Sequence, residues 1–98
     1  MNKRSRQTDI PKKVKDEVWE RDGKCCVLCG TPYAMPNAHF ISRAQGGLGI
    51  PQNIVTLCKN CHYMYDQTTK REEIRKDLAE YLESQYPDWR ETNLVYQK

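Results

Sequence analysis

Residues 54 to 62 read I-V-T-L-C-K-N-C-H: an apolar run, two cysteines separated by two residues, and a histidine. Cys58 and Cys61 have counterparts upstream, Cys26 and Cys29 in C-C-V-L-C-G, with 28 residues between the two C-x-x-C pairs. One such pair offers two thiolates from a tight turn, and two pairs complete the tetrahedral shell of a single Zn²⁺. That shell leaves no position open, so the predicted site is structural. Thioredoxin-type redox chemistry needs one C-x-x-C in a βαβ setting, and this chain has neither. A zinc deaminase needs H-x-E with P-C-x-x-C. Here His39 is followed by Phe40 and Ile41, and Leu57 precedes Cys58, so that reading fails. Cys25 is left over and is expected to pack.

The length of 98 residues, with 38% hydrophobic and 30% charged side chains, gives one small domain with little apolar material. Domains of this size and composition commonly need a staple, and bound zinc would supply folding free energy that the core lacks. The first residues, M-N-K-R-S-R-Q-T-D, contain no apolar signal segment, and no apolar run reaches transmembrane length. An intracellular, reducing compartment is therefore expected, where paired cysteines bind metal rather than each other. Charge is uneven. Residues 1 to 24 hold eight Lys or Arg against five Asp or Glu, whereas residues 25 to 98 hold eight of each, so the whole +3 lies at the N-terminal end. Such an end suits a polyanion such as nucleic acid; a solvated tail has the same composition.

Outward from the cysteines, the chain reads as short elements. Residues 1–9 form a basic flexible arm, and a helix opens at Ile10-Pro11 and runs to about Asp22, with Val14, Val18 and Trp19 on one face. Ala38 to Ile41 and Ile54 to Leu57 form a pair of strands around a compact loop, S-R-A-Q-G-G-L-G-I-P-Q-N. A helix follows the second knuckle to about Gln67. Another, capped by Thr69, spans about 70–85 with Ile74, Leu78, Tyr81 and Leu82 as its apolar stripe. Pro87 stops it, and N-L-V-Y-Q adds a short strand.

Once the cysteines are assigned, His39, Arg43, Asn53, His62 and Asp66 remain as a polar constellation. His62 and Asp66 are four residues apart, so on a helix they share a face and can bind one metal together.

Three stretches, R-D-G-K-C-C-V-L-C-G, H-F-I-S-R-A-Q-G-G and N-I-V-T-L-C-K-N-C-H, resemble the HNH endonucleases in content and order. The resemblance spans residues 11 to 68, with the core motif at 25–68, and the pattern H-x₁₃-N-x₈-H over His39, Asn53 and His62 carries it. It implies a small α+β, ββα-metal (treble-clef-like) fold with a Cys₄ structural zinc and flanking helices, residues 10–98 being one nuclease domain. It also implies metal-dependent hydrolysis of DNA phosphodiesters, by nicking or double-strand cleavage, leaving 5′-phosphate and 3′-hydroxyl ends. On this resemblance His39 is the general base, Asn53 holds it in register, and His62 binds a catalytic divalent ion (Mg²⁺, Mn²⁺, Ni²⁺ or Zn²⁺). Arg43 clamps a phosphate of the substrate.

One position departs from the family. Ala38 stands where relatives commonly carry an Asp or His as a second ligand to the ion. Asp66 is the leading substitute; Asn37, expected on the opposite strand face, His39 itself and a DNA phosphate are the alternatives. The expected partner is DNA, with a phage terminase or other DNA-processing machinery as a further one. The chain is expected as a monomer or weak homodimer in the cytoplasm of a bacterial or phage-infected cell. The rival reading is a catalytically inert zinc-ribbon DNA-binding module, and a treble-clef adaptor without DNA affinity stands third.

Overall fold

The structure, a computed structural model, describes residues 3–96. Its elements in chain order are α1 (Lys3–Thr8), α2 (Lys12–Arg21), β1 (Ala34–His39), β2 (Ile54–Cys58), α3 (Lys59–Gln67) and α4 (Arg71–Gln85). Short 3₁₀ turns occur at Arg43–Gln45, Pro51–Asn53 and Glu91–Asn93.

β2 is the centre of the molecule. Ile54, Val55, Thr56 and Leu57 are each 2% exposed or less, so both faces of the strand are covered and the apolar run needs no alternation. Burying each such aliphatic side chain stabilises the fold by about 1.5–3 kcal/mol. α2 packs on both strands, and α3 packs on β2 and α4. α4 contributes Ile74, Leu78 and Leu82, the expected stripe at helical spacing, to the core. Tyr81, the fourth residue of that stripe, is half-buried and donates instead to Asp22 Oδ1 at 2.5 Å.

Asp22 and Arg21 fix β2 to the end of α2. The Arg21 guanidinium donates to the carbonyls of Pro51 and Ile54, both at 2.7 Å, and Asp22 Oδ2 accepts the amide of Thr56 at 2.8 Å. The two side chains also pair with each other at 2.7 Å, with 9% and 0% exposure. Gly23 and Lys24 then turn the chain at positive φ into the first knuckle.

The sheet is β1 against β2, antiparallel, and its register contains a bulge. Met35 pairs with Leu57 and Ala38 with Val55, so Pro36 and Asn37 together oppose the single residue Thr56. This is why β1 covers Ala34–His39 rather than the expected Ala38 to Ile41. T-P-Y-A-M-P-N reads as turn because of its prolines, but a bulge accepts a residue without an N–H. Beyond His39 the strand pairing stops, because the buried Asn53 takes over the backbone of Ile41.

Three other expectations shift. Lys3–Thr8 is helical where a flexible arm was expected, and its end is tied down by the bond from the Gly49 amide to the Gln7 carbonyl (2.9 Å); Met1 and Asn2 of that arm lie outside the described residues. Lys70, not Thr69, is the N-cap of α4 and makes no side-chain cap bond; the Thr68 hydroxyl accepts the Lys70 amide at 3.2 Å in the turn before it. The tail makes one bridge, Val95 to Gly47, beside a buried Leu94; Gln97 of the expected strand lies outside the described residues. No helix among the described residues is long and apolar enough to cross a membrane.

Candidate active site

Two sites lie on the ββα unit formed by β1, β2 and α3. The first is the cysteine cluster. The sulfurs of Cys26, Cys29, Cys58 and Cys61 all lie within 4.8 Å of one another, with Cys29 and Cys58 at 3.6 Å. Tetrahedral Zn–S bonds of about 2.3 Å require sulfurs about 3.8 Å apart, so the cluster fits one ion of that geometry. The local fold dictates this convergence. In the first knuckle the amides of Cys26 and Gly30 bond to the carbonyls of Thr31 and Cys26, and Gly30 turns at φ +80. In the second, Cys58 is the N-cap of α3, and its sulfur accepts the amide of Cys61 at 3.4 Å. A helix N-terminus favours the thiolate.

The thiols also show the electrostatic need for a cation. Burial pushes Cys61 up, helped by its sulfur neighbours Cys58 and Cys26. Burial also opposes ionisation of Cys26, but bonds from the backbone at Cys29, Cys58 and Leu28 outweigh it and bring that thiol down to about 7. One negative charge forms readily and suppresses the next, unless a metal compensates them. Cys25 stays outside the cluster, its sulfur 3.5 Å from the Asp22 carbonyl.

The second site is a cleft of about 280 Å³ lined by Asn37, His39, Ser42, Arg43, His62 and Asp66. β1 supplies Asn37 and His39, which alternate with the fully buried Ala38. Asn37 therefore lies on the same face as His39, and it is Ala38 that points away, into the core. Asn37 thus lies on the face opposite Ala38, as expected, and that face is the one that lines the cleft. α3 supplies His62 and Asp66, with His62 Nε2 3.0 Å from Asp66 Oδ2. The neighbouring pair Cys61 and Tyr65, also one turn apart, is buried and sets the rotation of the helix. Tyr65 then donates its hydroxyl to the Phe40 carbonyl at 2.7 Å, which ties α3 to the residue after His39.

Asn53 is fully buried and works on the backbone. Its Oδ1 accepts the Ile41 amide at 2.8 Å, while Nδ2 donates to the carbonyls of Leu48 at 2.9 Å and Ile41 at 3.2 Å. Its own carbonyl accepts the Phe40 amide at 2.7 Å. Gly47 makes room for this junction, since a Cβ there would fall 1.7 Å from the Ile41 oxygen and 2.9 Å from Asn53 Nδ2.

His39 is half-buried. Burial holds its imidazole below the ordinary value of 6.5, with the positive charge of Arg43 acting in the same direction and a bond to the Thr8 carbonyl opposing them. That bond joins His39 Nε2 to the Thr8 oxygen at 2.8 Å. Arg43 forms an ion pair with Asp9. A second concavity of about 390 Å³ shares Asn37, His39 and Arg43 with the cleft and adds Asp9, Ile10 and Lys15.

The model of the HNH endonuclease family matches residues 26–67. Residues 26–67 are an HNH domain. No curated protein and no solved structure matches the chain. The HNH domain contains both knuckles, the cleft residues from Asn37 to Asp66, and the ββα unit expected of the family. The matched family is one of endonucleases.

Several residues around the cleft carry no sequence signal of their part there. Thr8 enters through a backbone carbonyl, which residue identity cannot announce. Asp9 and Lys15 lie outside the matched segment and carried only a net-charge signal. Tyr65 was readable as packing, and its hydroxyl adds the bond to Phe40. For a catalytic cation the cleft offers one imidazole and one carboxylate on the same rim, both partly exposed. That donor set fits a divalent ion which completes its shell with water and phosphate oxygens.

Proposed function

We propose that this chain is a metal-dependent endonuclease that hydrolyses DNA phosphodiesters, with residues 10–98 acting as one nuclease domain inside the cell. The observation that carries the reading is the convergence of His39, Arg43, His62 and Asp66 on one cleft of the HNH domain. His39 is the general base. Burial keeps it neutral near pH 7, so it can take a proton from the attacking water. Asn53 acts on the backbone on both sides of the loop and keeps His39 in register. Arg43 presents a planar, permanently charged fork suited to a phosphate. His62 and Asp66 would hold the divalent ion, which supplies positive charge against the scissile phosphate and the departing 3′ oxygen. Asp66 thus takes the part that Ala38 lacks, and Asn37 lies beside it.

The ion in the cysteine cluster is Zn²⁺ on this reading, by the softness of four thiolates and the closed tetrahedral arrangement. Lys15, on α2 beside the cleft, adds a positive charge for the flanking phosphate. DNA-processing machinery such as a phage terminase would deliver the substrate.

The rival, an inert zinc-dependent DNA-binding module, predicts binding without cleavage. The test is the chemistry of the ends. Nicked plasmid made with Mg²⁺, Mn²⁺ or Ni²⁺ is expected to be resealed directly by DNA ligase, as 5′-phosphate and 3′-hydroxyl ends require. Intact plasmid under every metal would favour the rival, and nicks that ligase cannot seal would overturn the stated chemistry.

A further inference from the structure

The segment Gln7 to Ile10 lies outside the matched HNH domain, yet it reaches two residues of the cleft. The Thr8 carbonyl meets His39 Nε2 at 2.8 Å, and the next residue, Asp9, pairs with Arg43. The segment is docked on the glycine loop, where the Gly49 amide donates to the Gln7 carbonyl at 2.9 Å. Gly49 is required for that approach. A Cβ there would fall 1.9 Å from the Asp9 oxygen, 2.6 Å from its carbonyl carbon and 3.1 Å from Ile10 Cα, all of them backbone atoms. The loop cannot yield in the opposite direction without loss, because the Leu48 amide bonds to the Leu94 carbonyl at 2.8 Å and Asn53 holds the Leu48 carbonyl.

A carbonyl oxygen can only accept. The Thr8 contact therefore selects the tautomer of His39 in which Nε2 carries the hydrogen, leaving the lone pair on Nδ1. We infer that residues 7–10 are a positioning strap for the active site, fixing the tautomer and ring orientation of His39 and the aim of Arg43, with Gly49 as its seat. The inference rests on the nuclease reading for its consequence in catalysis. Its structural content, the tautomer, stands apart from that reading. The strap explains a glycine that neither the turn nor the loop needs, since Gly49, unlike Gly46, has no positive φ.

The test reads the imidazole nitrogens of His39 by ¹⁵N NMR in the zinc-loaded full chain, without DNA or added divalent ion, at alkaline pH where the ring is neutral. Wild type is expected to show the Nε2–H tautomer alone. Gly49→Ala displaces the strap, so a mixture of tautomers is expected, with kcat for DNA cleavage reduced roughly tenfold or more and KM within about twofold, as a misaligned base requires. A wild-type ring protonated on Nδ1 overturns the inference, as does a folded Gly49→Ala chain that keeps both the pure tautomer and full kcat. If Gly49→Ala does not fold, the wild-type spectrum decides. A wild type that shows the Nε2–H tautomer but cleaves no DNA supports the strap and removes the nuclease reading.

Discussion

His39 is the residue on which the proposed chemistry turns, and its surroundings are suited to a base. Burial lowers its pKa from 6.5, so the folded chain binds this proton less tightly than the unfolded chain does. The associated stability is present above 6.5 and is lost as pH falls through the lower folded value. For catalysis the same shift predicts a kcat/KM profile whose acid limb is centred below 6.5, and an acid limb centred above 6.5 would contradict it. Asp66 allows a second test at this scale. Asp66→Asn is expected to weaken the activating metal by about 10–100-fold while zinc content and melting stay unchanged; superimposable metal titrations would take Asp66 out of the site. The pairing of His62 with Asp66 was legible from their spacing alone. The engagement of Arg43 by Asp9 was not, because charge partners 34 residues apart leave no local pattern.

At the scale of elements, the ββα unit is placed by a small number of polar bonds laid over an apolar strand. The Arg21–Asp22 pair joins α2 to β2, and Asn53 joins the end of β1 to the glycine loop. Removing one partner of a buried pair strands the other, so Asp22→Ala is expected to destabilise the chain by about 3–5 kcal/mol in urea unfolding. A loss below 1 kcal/mol would show that the pair does not anchor β2. The helices α2 and α4 follow from periodicity and breakers, and their observed bounds lie within two residues of those expected; α3 ends at Gln67 as expected but begins at Lys59, inside the second knuckle and three residues before the expected start at His62. β1 did not follow so simply. Its prolines suggest a turn, and only the register across Thr56 reveals that a bulge absorbs Pro36 and brings Asn37 and His39 onto the cleft. Strand pairing is a property of two segments, so one segment's composition cannot give it.

The whole molecule has two centres, the apolar cluster around β2 and the four cysteines that could hold a metal ion. The second was the most legible feature of the chain, since the two C-x-x-C spacings fix the ligand set before any packing is known. The docking of the N-terminal segment was the least legible, because it depends on backbone atoms of Gln7, Asp9 and Ile10 meeting a glycine and on the Thr8 carbonyl meeting His39. Chelating the proposed zinc is expected to abolish the cooperative thermal transition, as binding and folding are one equilibrium in small metal-stapled domains. A chain that keeps its transition in strong chelator would remove the staple from the account. The most direct test of the central claim compares wild type with His39→Ala on supercoiled plasmid, at equal zinc content and equal melting temperature. The account predicts that wild type nicks the plasmid with an added divalent metal and that His39→Ala is slower by roughly 10²–10⁴-fold. Equal rates for the two proteins would contradict it.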